Sequence, residues 1–176
     1  MKFSCEKALL QNAINTASRA VASKSSIPAL EGLLLEARHG YLIVSGYNMQ
    51  LGIRSRFQAN IIEEGELVLN ARLFGDIIRK MPDDMIVFTS DDKQMVSVTC
   101  GDADFRILGL SAGDFPELPD VEDDYTCTMK QNVLKAMING TSFAVSTNES
   151  RIVHTGSLFE IENGQLTVVS VDGFRL

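Results

Sequence analysis

Cys5 or Cys127 set beside His154 is the one thiol–imidazole combination that can supply a nucleophile and a base. Hydrolytic chemistry needs a third group to orient that base, and no motif in the chain points to one. The cysteines, Cys5, Cys100 and Cys127, are odd in number and lack CxxC spacing, with only His39 and His154 beside them. Reduced, buried thiols in a cytoplasmic protein fit this pattern better than a disulfide or zinc site. Three acid pairs, Asp83-Asp84, Asp91-Asp92 and Asp123-Asp124, have the chemistry to bind a divalent cation, but each falls at a turn, where solvated acids are the simpler reading. Neither GxGxxG nor GxxxxGK[ST] occurs to cradle a phosphate. The expectation is a non-catalytic protein without cofactor or metal.

The cations say more. Arg72 and Arg79 stand seven apart in a helical pattern and so share a face, with Lys80 adjacent and Asp76 between them on that face. An ion-pair ladder through Asp76 and a surface for a polyanion both account for this spacing. Lys24 lies in a polar loop, Ser23 to Ser26, and Asn148 holds the equivalent place in a second such loop.

That equivalence comes from an internal repeat. Sliding the chain by about 124 residues places Leu10, Ile14 and Asn15 on Leu134, Ile138 and Asn139, and Gly32, Leu34 and Glu36 on Gly156, Leu158 and Glu160. About a dozen identities fall in ~50 positions, with the order of elements preserved. The first copy opens with a short strand, Lys2–Cys5. A helix follows from Glu6, burying Leu9, Leu10, Ala13, Ile14, Ala17 and Val21 and exposing Lys7, Gln11, Asn15 and Ser18. Strands Leu30–Ala37 and Tyr41–Ser45 meet at His39-Gly40, a hairpin signal. Further strands are expected near Gln50–Ala59 and Gly65–Asn70, then a helix Ala71–Lys80 stopped by Pro82, then strands near Met85–Ser90, Met95–Cys100 and Asp104–Leu110. The Pro- and acid-rich stretch Ser111–Asp124 reads as a link. The second copy predicts a strand at Tyr125–Thr128, a helix over Lys130–Ala144 with Val133, Leu134, Met137 and Ile138 inward, a loop Ser146–Ser150, and a hairpin turning at Asn163-Gly164. The class is α+β with mostly antiparallel strands. Because the second copy stops after its hairpin, the natural chain is expected to be longer.

Bulk properties agree. The 176 residues are 45% hydrophobic, enough for a packed core, and no apolar run of membrane-spanning length or secretory h-region occurs. A formal charge of −7 argues against indiscriminate nucleic-acid binding by the whole surface. The charge is uneven, however: residues 1–80 carry 10 Lys/Arg against 7 Asp/Glu, and residues 81–176 carry 6 against 16. A positive face on an acidic protein is therefore compatible with the composition.

Taken together, Met1-Lys2-Phe3, Ile27-Pro28-Ala29-Leu30, Gly32-Leu33-Leu34-Leu35, Ala71-Arg72-Leu73-Phe74, Asp114-Phe115-Pro116-Glu117-Leu118 and Val171-Asp172-Gly173-Phe174-Arg175-Leu176 resemble the beta sliding clamps of bacterial DNA polymerase III. The resemblance implies a DNA-clamp fold, repeated units of two helices packed on antiparallel sheets. Domain one would span 1–121 and the first part of domain two 122–176, with a third domain absent. It implies a homodimeric, head-to-tail ring around duplex DNA that tethers the polymerase III catalytic subunit, the clamp loader and other proteins bearing clamp-binding motifs. Lys24, Arg72, Arg79 and Asn148 would face DNA. Arg151, His154, Val171, Gly173, Phe174, Arg175 and Leu176 would form a pocket for partner peptides, and Phe105 and Ile107 would serve ring closure. Val171 and Phe174 stand where the family usually has Thr and His, and His154 where an apolar residue is common. The closure strand carries acidic Asp102 and Asp104 with only Arg106 basic. Competing readings are a repeat-built protein- or ligand-binding domain that does not encircle DNA and, third, a Cys–His enzyme.

Overall fold

The computed structural model describes residues 1–119 and 126–175. It divides into two units, Met1–Asp120 and Val121–Leu176. In the first, β1 (Lys2–Glu6) leads into α1 (Lys7–Ala17), which tightens into a 3₁₀ turn at Ser18–Ala20; a second 3₁₀ turn, Pro28–Glu31, precedes the sheets. The strands are β2 (Gly32–Arg38), β3 (Tyr41–Tyr47), β4 (Gly52–Gln58), β5 (Asn60–Glu63) and β6 (Gly65–Asn70), then, after α2 (Ala71–Lys80), β7 (Met85–Ser90), β8 (Met95–Cys100) and β9 (Ala103–Leu108). They form two antiparallel sheets, ordered β4-β3-β2-β6 and β5-β1-β7-β8-β9.

One core joins both sheets to both helices. Leu10 and Ile14 of α1 and Phe74 and Ile78 of α2 are at most 2% exposed, together with Leu33, Leu35, Leu42 and Val44 of one sheet and Phe3, Ile86 and Phe88 of the other. Phe3 stacks on Phe88 with ring centroids 4.7 Å apart, and Phe74 meets Phe88 edge-on at 6.3 Å. A Cβ at Gly46 would run into the Ala17 carbonyl, so only glycine lets the end of α1 rest on β3.

Three expectations for this unit need correction. The strand expected over Gln50–Ala59 starts at Gly52 and ends at Gln58; the Ala59 N–H donates to Gly40, and the chain then crosses to the other sheet as β5, which pairs with β1. Lys7, expected on the solvent face, is buried because its ammonium reaches the C-terminus of α2, while Leu9 is exposed instead. The segment expected to begin a strand at Leu30 starts as the Pro28–Glu31 turn.

The second unit repeats the first. Its helix α3 (Gln131–Thr141), 3₁₀ turn Ser142–Ala144 and strands β10 (Leu158–Glu162) and β11 (Gln165–Val169) lie at the 124-residue offset from α1, Ser18–Ala20, the end of β2 and the start of β3. The hairpin registers coincide, Leu34↔Ser45 with Leu158↔Val169 and Arg38↔Tyr41 with Glu162↔Gln165. The turn residues coincide as well: His39 and Gly40 have φ of 52° and 77°, Asn163 and Gly164 of 51° and 76°, the doubly positive pattern of a tight hairpin turn. Residues 126–128 form no strand: in the first unit β1 pairs with β5 and β7, and neither has a counterpart among the described residues of the second; Tyr125 lies outside the described residues, as do Asp123 and Asp124. The loop expected at Ser146–Ser150 is present as far as Asn148, where a 3₁₀ segment, Glu149–Thr155, begins. The apolar stripe of α3 is covered only in part: Leu134 and Met137 are half-buried, while Val133 and Ile138 stay exposed, because the one described sheet in this unit is a two-stranded hairpin.

Candidate functional site

Two concave surfaces carry the residues singled out above. The first lies between α1 and α2. The Asn70 side chain accepts the Leu73 N–H at 3.0 Å and starts α2, whose face then presents Arg72, Asp76 and Arg79. At the other end Lys7 Nζ donates to the Met81 carbonyl at 2.6 Å and to Asp83 at 2.8 Å, tying the start of α1 to the end of α2. The groove so formed, about 640 Å³, is lined by Arg72, Asp76 and Arg79 across from Asn15 and Ser18, with Ser23 and Glu31 at its end. Lys24 is exposed next to Ser23. Arg79 makes the ion pair that the spacing allowed, Nη1 to Asp76 Oδ1 at 2.8 Å. Arg72 has no carboxylate partner among the described residues. Glu31 is engaged by the Ser25 N–H at 3.0 Å. Two arginines thus face two carboxylates in the lining, and neither Arg72 nor the neighbouring Lys24 has an ion-pair partner among the described residues.

The second surface is a cavity of about 640 Å³ in the second unit. Arg151, His154, Gly173, Phe174 and Arg175 line it, as does Asn148, which the sequence reading had grouped with the helix-face cations. Asn148 Oδ1 accepts the Ser150 N–H at 3.0 Å and starts the 3₁₀ segment bearing Arg151 and His154. Val171, expected in the lining, is half-buried and absent from it; Leu176 lies outside the described residues. Phe174 is 99% exposed, so it stands out from the wall and does not pack within it.

Asp172, which the sequence reading passed over, organises this wall. Its carboxylate accepts the N–H groups of Phe174 at 2.9 Å and Arg175 at 3.1 Å, and Arg175 Nε at 2.9 Å. The Phe174 N–H, aided by Arg175, holds the Asp172 carboxyl below its ordinary value. The Arg175 guanidinium lies 5.7 Å from the Phe143 ring centroid. The Asp-Gly pair is a turn signal visible in the sequence and would have found Asp172.

The remaining candidates separate. Cys5 is buried, and burial pushes its thiol up to about 12, unfit for a nucleophile at neutral pH. Cys127 is exposed and does not line the cavity that holds His154. The carboxylates of Asp84 and Asp91 accept backbone N–H groups at their turns. At the sheet edge, Phe105 is 38% exposed, whereas Ile107, at 9%, is committed to the core of its own unit; Leu108, at 67%, is the apolar edge residue that the sequence reading missed.

The chain matches the family model for the DNA polymerase III beta subunit, the N-terminal domain over residues 1–119 and the central domain over residues 128–176. The chain belongs to this family. Among curated relatives, the beta sliding clamp of Chlamydia muridarum is 35% identical over 176 residues, and that of Halalkalibacterium halodurans 33% over 184, each alignment covering 100% of this chain and 48% of the relative. Among solved structures, a putative DNA polymerase III beta subunit from Eubacterium rectale superposes with a TM-score of 0.92 at 35% identity, over 98% of this chain and 47% of that one. The Bacillus subtilis sliding clamp gives 0.92 at 29% identity, over 98% and 47%. The chain therefore spans about half the length of the relatives it matches.

Proposed function

We propose that this chain is the DNA-facing part of a sliding clamp, a non-catalytic processivity factor of the replicative polymerase that encircles duplex DNA. The observation that carries the reading is the α1–α2 groove, which combines Arg72, without a carboxylate partner among the described residues, with Arg79, already held by Asp76. A sliding ring needs weak, sequence-independent phosphate contacts that exchange quickly, and phosphate contacts position without reading sequence. A groove whose cations are half satisfied by its own carboxylates meets that need. Lys24, Arg72, Arg79 and Asn148 are assigned to DNA on this reading, and Arg72 and Lys24 bear most of the contact.

The second unit's cavity is proposed as part of the site for partner peptides from the polymerase catalytic subunit, the clamp loader and other clamp-binding proteins. Arg175 and Arg151 supply donors, and His154 and Phe174 supply ring faces. Ring closure, for a chain of its relatives' length, is assigned to the β9 edge through Phe105 and Leu108. Cytoplasmic residence is inferred from this role; among the described residues no helix is long and apolar enough to cross a membrane. Family membership favours this reading over a repeat-built binding domain without DNA.

The test is a salt titration of binding to a fluorescent duplex. Arg72→Gln with Lys24→Gln is expected to weaken binding and to make the log–log salt slope shallower by roughly 2, about 0.9 per lost phosphate contact. Asp76→Asn, which releases Arg79, is expected to strengthen binding and steepen the slope by about 1. Slopes unchanged in both variants would remove the groove from the DNA surface.

A further inference from the structure

In the first unit the sheet β4-β3-β2-β6 turns one face to the helices and the other outward, and the outer face holds a cleft separate from both surfaces above. Side chains alternate along a strand, so Leu33, Leu35 and Ala37 of β2 enter the core while Leu34, Glu36 and Arg38 take the outer face. Register sets Arg54 of β4, Ser45 of β3, Leu34 of β2 and Val68 of β6 in one row across that face, and Glu36 directly beside Glu66 in the next. Beyond β9 the chain crosses the β6 side. Leu110 exchanges two hydrogen bonds with Val68, at 2.8 and 3.0 Å, and Phe115 packs with Val68 and Tyr47. Under this crossing lies an opening of about 610 Å³, with Leu34, Glu36, Arg38, Arg54 and Glu66 along the sheet and Pro116 and Glu117 along the crossing segment.

The charges of this cleft do not balance. Three carboxylates, Glu36, Glu66 and Glu117, share the lining with two guanidinium groups, Arg38 and Arg54. Arg38 Nη2 is committed to Glu36 Oε1 at 2.9 Å. Glu66, Glu117 and Arg54 form no ion pair among the described residues. Residues directly opposite on antiparallel strands have Cβ atoms about 5 Å apart, where like charges repel. Glu36 and Glu66 are such a pair, and the Glu36 side chain, 10% exposed, has little water to screen it. Ser45, diagonal to Glu36 on the neighbouring strand, is 0% exposed, and its Oγ has no hydrogen-bond partner among the described residues. A buried hydroxyl left unpaired is disfavoured and rare in folded proteins. Opposed carboxylates and an orphan acceptor lack the same thing, a cationic donor.

We propose that the cleft receives an arginine side chain from a partner protein, its guanidinium bridging Glu36 and Glu66 beside Glu117, with Ser45 Oγ as a further acceptor. A guanidinium carries five N–H donors in a rigid plane and can serve two carboxylates on separate edges, whereas an ammonium is a compact, strongly hydrated point charge. The cleft and the α1–α2 groove lie on opposite sides of the sheet, so a partner held here leaves the helix face free.

The probe is the tripeptide acetyl-glycyl-arginyl-glycine amide, titrated to millimolar concentration into the full chain labelled with nitrogen-15. The amides of Leu34, Glu36, Ser45 and Glu66 are expected to shift saturably. The citrulline tripeptide, of the same shape without the charge, should leave them in place, and equal shifts with citrulline overturn the proposal. So does a response to the glutamate tripeptide centred on Arg54 with none to arginine, which would make the cleft an anion site. Glu66→Gln should weaken arginine binding by about tenfold, as expected for the loss of one charge-assisted acceptor. Glu66 is exposed, so this variant should fold, and removal of the repulsion should raise its urea midpoint. A lowered midpoint would show that Glu66 is held by the fold's own groups and overturns the proposal. The salt slope of duplex binding should be the same in Glu66→Gln as in the unaltered chain, and a changed slope would place Glu66 on the DNA surface instead.

Discussion

Replacing Lys7 by methionine tests how α1 and α2 are held side by side, and so how the groove exists at all. The Lys7 side chain is 10% exposed, and its ammonium serves two acceptors of different character. The Met81 carbonyl, 2.6 Å away, belongs to the orphan set that every helix leaves at its C-terminus. Asp83, 2.8 Å away, has a side chain 94% exposed. Methionine preserves the apolar stem and removes the charge, leaving the carbonyl without its donor. A charge-assisted hydrogen bond to a buried acceptor contributes about 1.5–3 kcal/mol, whereas an ion pair with an exposed carboxylate contributes at most ~1 kcal/mol. Lys7→Met is therefore expected to cost about 2 kcal/mol and Asp83→Asn well under 1. With a urea m-value of about 2 kcal/mol/M, the first lowers the midpoint by roughly 1 M and the second barely moves it. Urea melts followed by far-ultraviolet circular dichroism read both, and added salt should shrink only the Asp83 effect. If Asp83→Asn costs as much as Lys7→Met, the helices are held by a surface ion pair and the capping argument is wrong.

Two further outcomes follow from single groups. Iodoacetamide at pH 8 should modify the native chain at Cys127, which is exposed, and spare Cys5, whose buried thiol is pushed up to about 12, and Cys100, which is 1% exposed. Mass spectrometry after unfolding should then find all three modified, and early labelling of Cys5 would contradict its burial. Asp172 is held below its ordinary 3.8, chiefly by the Phe174 N–H and then by Arg175, so the order it gives the turn is complete above that value and lost as pH falls through the lowered one. Amide shifts of Phe174 and Arg175 should accordingly stay constant from neutral pH down to about 3.8 and move only on further acidification. Asp172→Asn should preserve the turn, because Asn48 makes the same two bonds with a neutral oxygen; Asp172→Ala should lose it, and a turn indifferent to alanine would show that the carboxylate does not organise the wall.

The fold was legible where periodicity and turn chemistry were strong. Helix α2 occupies the expected Ala71–Lys80, and both hairpins turn at the His39-Gly40 and Asn163-Gly164 pairs. Legibility failed where tertiary partners decide. Nothing local distinguishes the end of β4 from the start of β5, because the break at Ala59 exists only to pass the chain from one sheet to the other. Lys7 read as solvated because its acceptor lies 74 residues away. At the candidate sites, helical spacing singled out Arg72 and Arg79, whereas Arg151, His154 and Arg175 came from the family resemblance alone; the structure decided what spacing had left open by pairing Arg79 with Asp76. Depth was invisible: parity puts Phe105 and Ile107 on the same face of β9, yet Phe105 is 38% exposed while Ile107 sinks into the core.

The repeat also shows which parts of the unit are fixed by backbone and which are open to change. Hairpin register, turn dihedrals, the Ser18–Ala20 and Ser142–Ala144 turns and the paired loop hydrogen bonds are the same in both copies. The side chains on that shared backbone differ in kind. At the helix-exit loop Lys24 becomes Asn148, exchanging an exposed cation for a side chain that hydrogen-bonds its own turn. Further along the same offset Leu30 and Tyr47 become His154 and Val171, and Leu51 becomes Arg175. Each change replaces apolar bulk by a smaller or polar group. Because the backbone donors and acceptors are satisfied locally in both copies, such substitutions leave no buried polar group unpaired. Recognition can then diverge between the units at little cost to folding, so long as the loop acceptor, Asn48 or Asp172, stays in place.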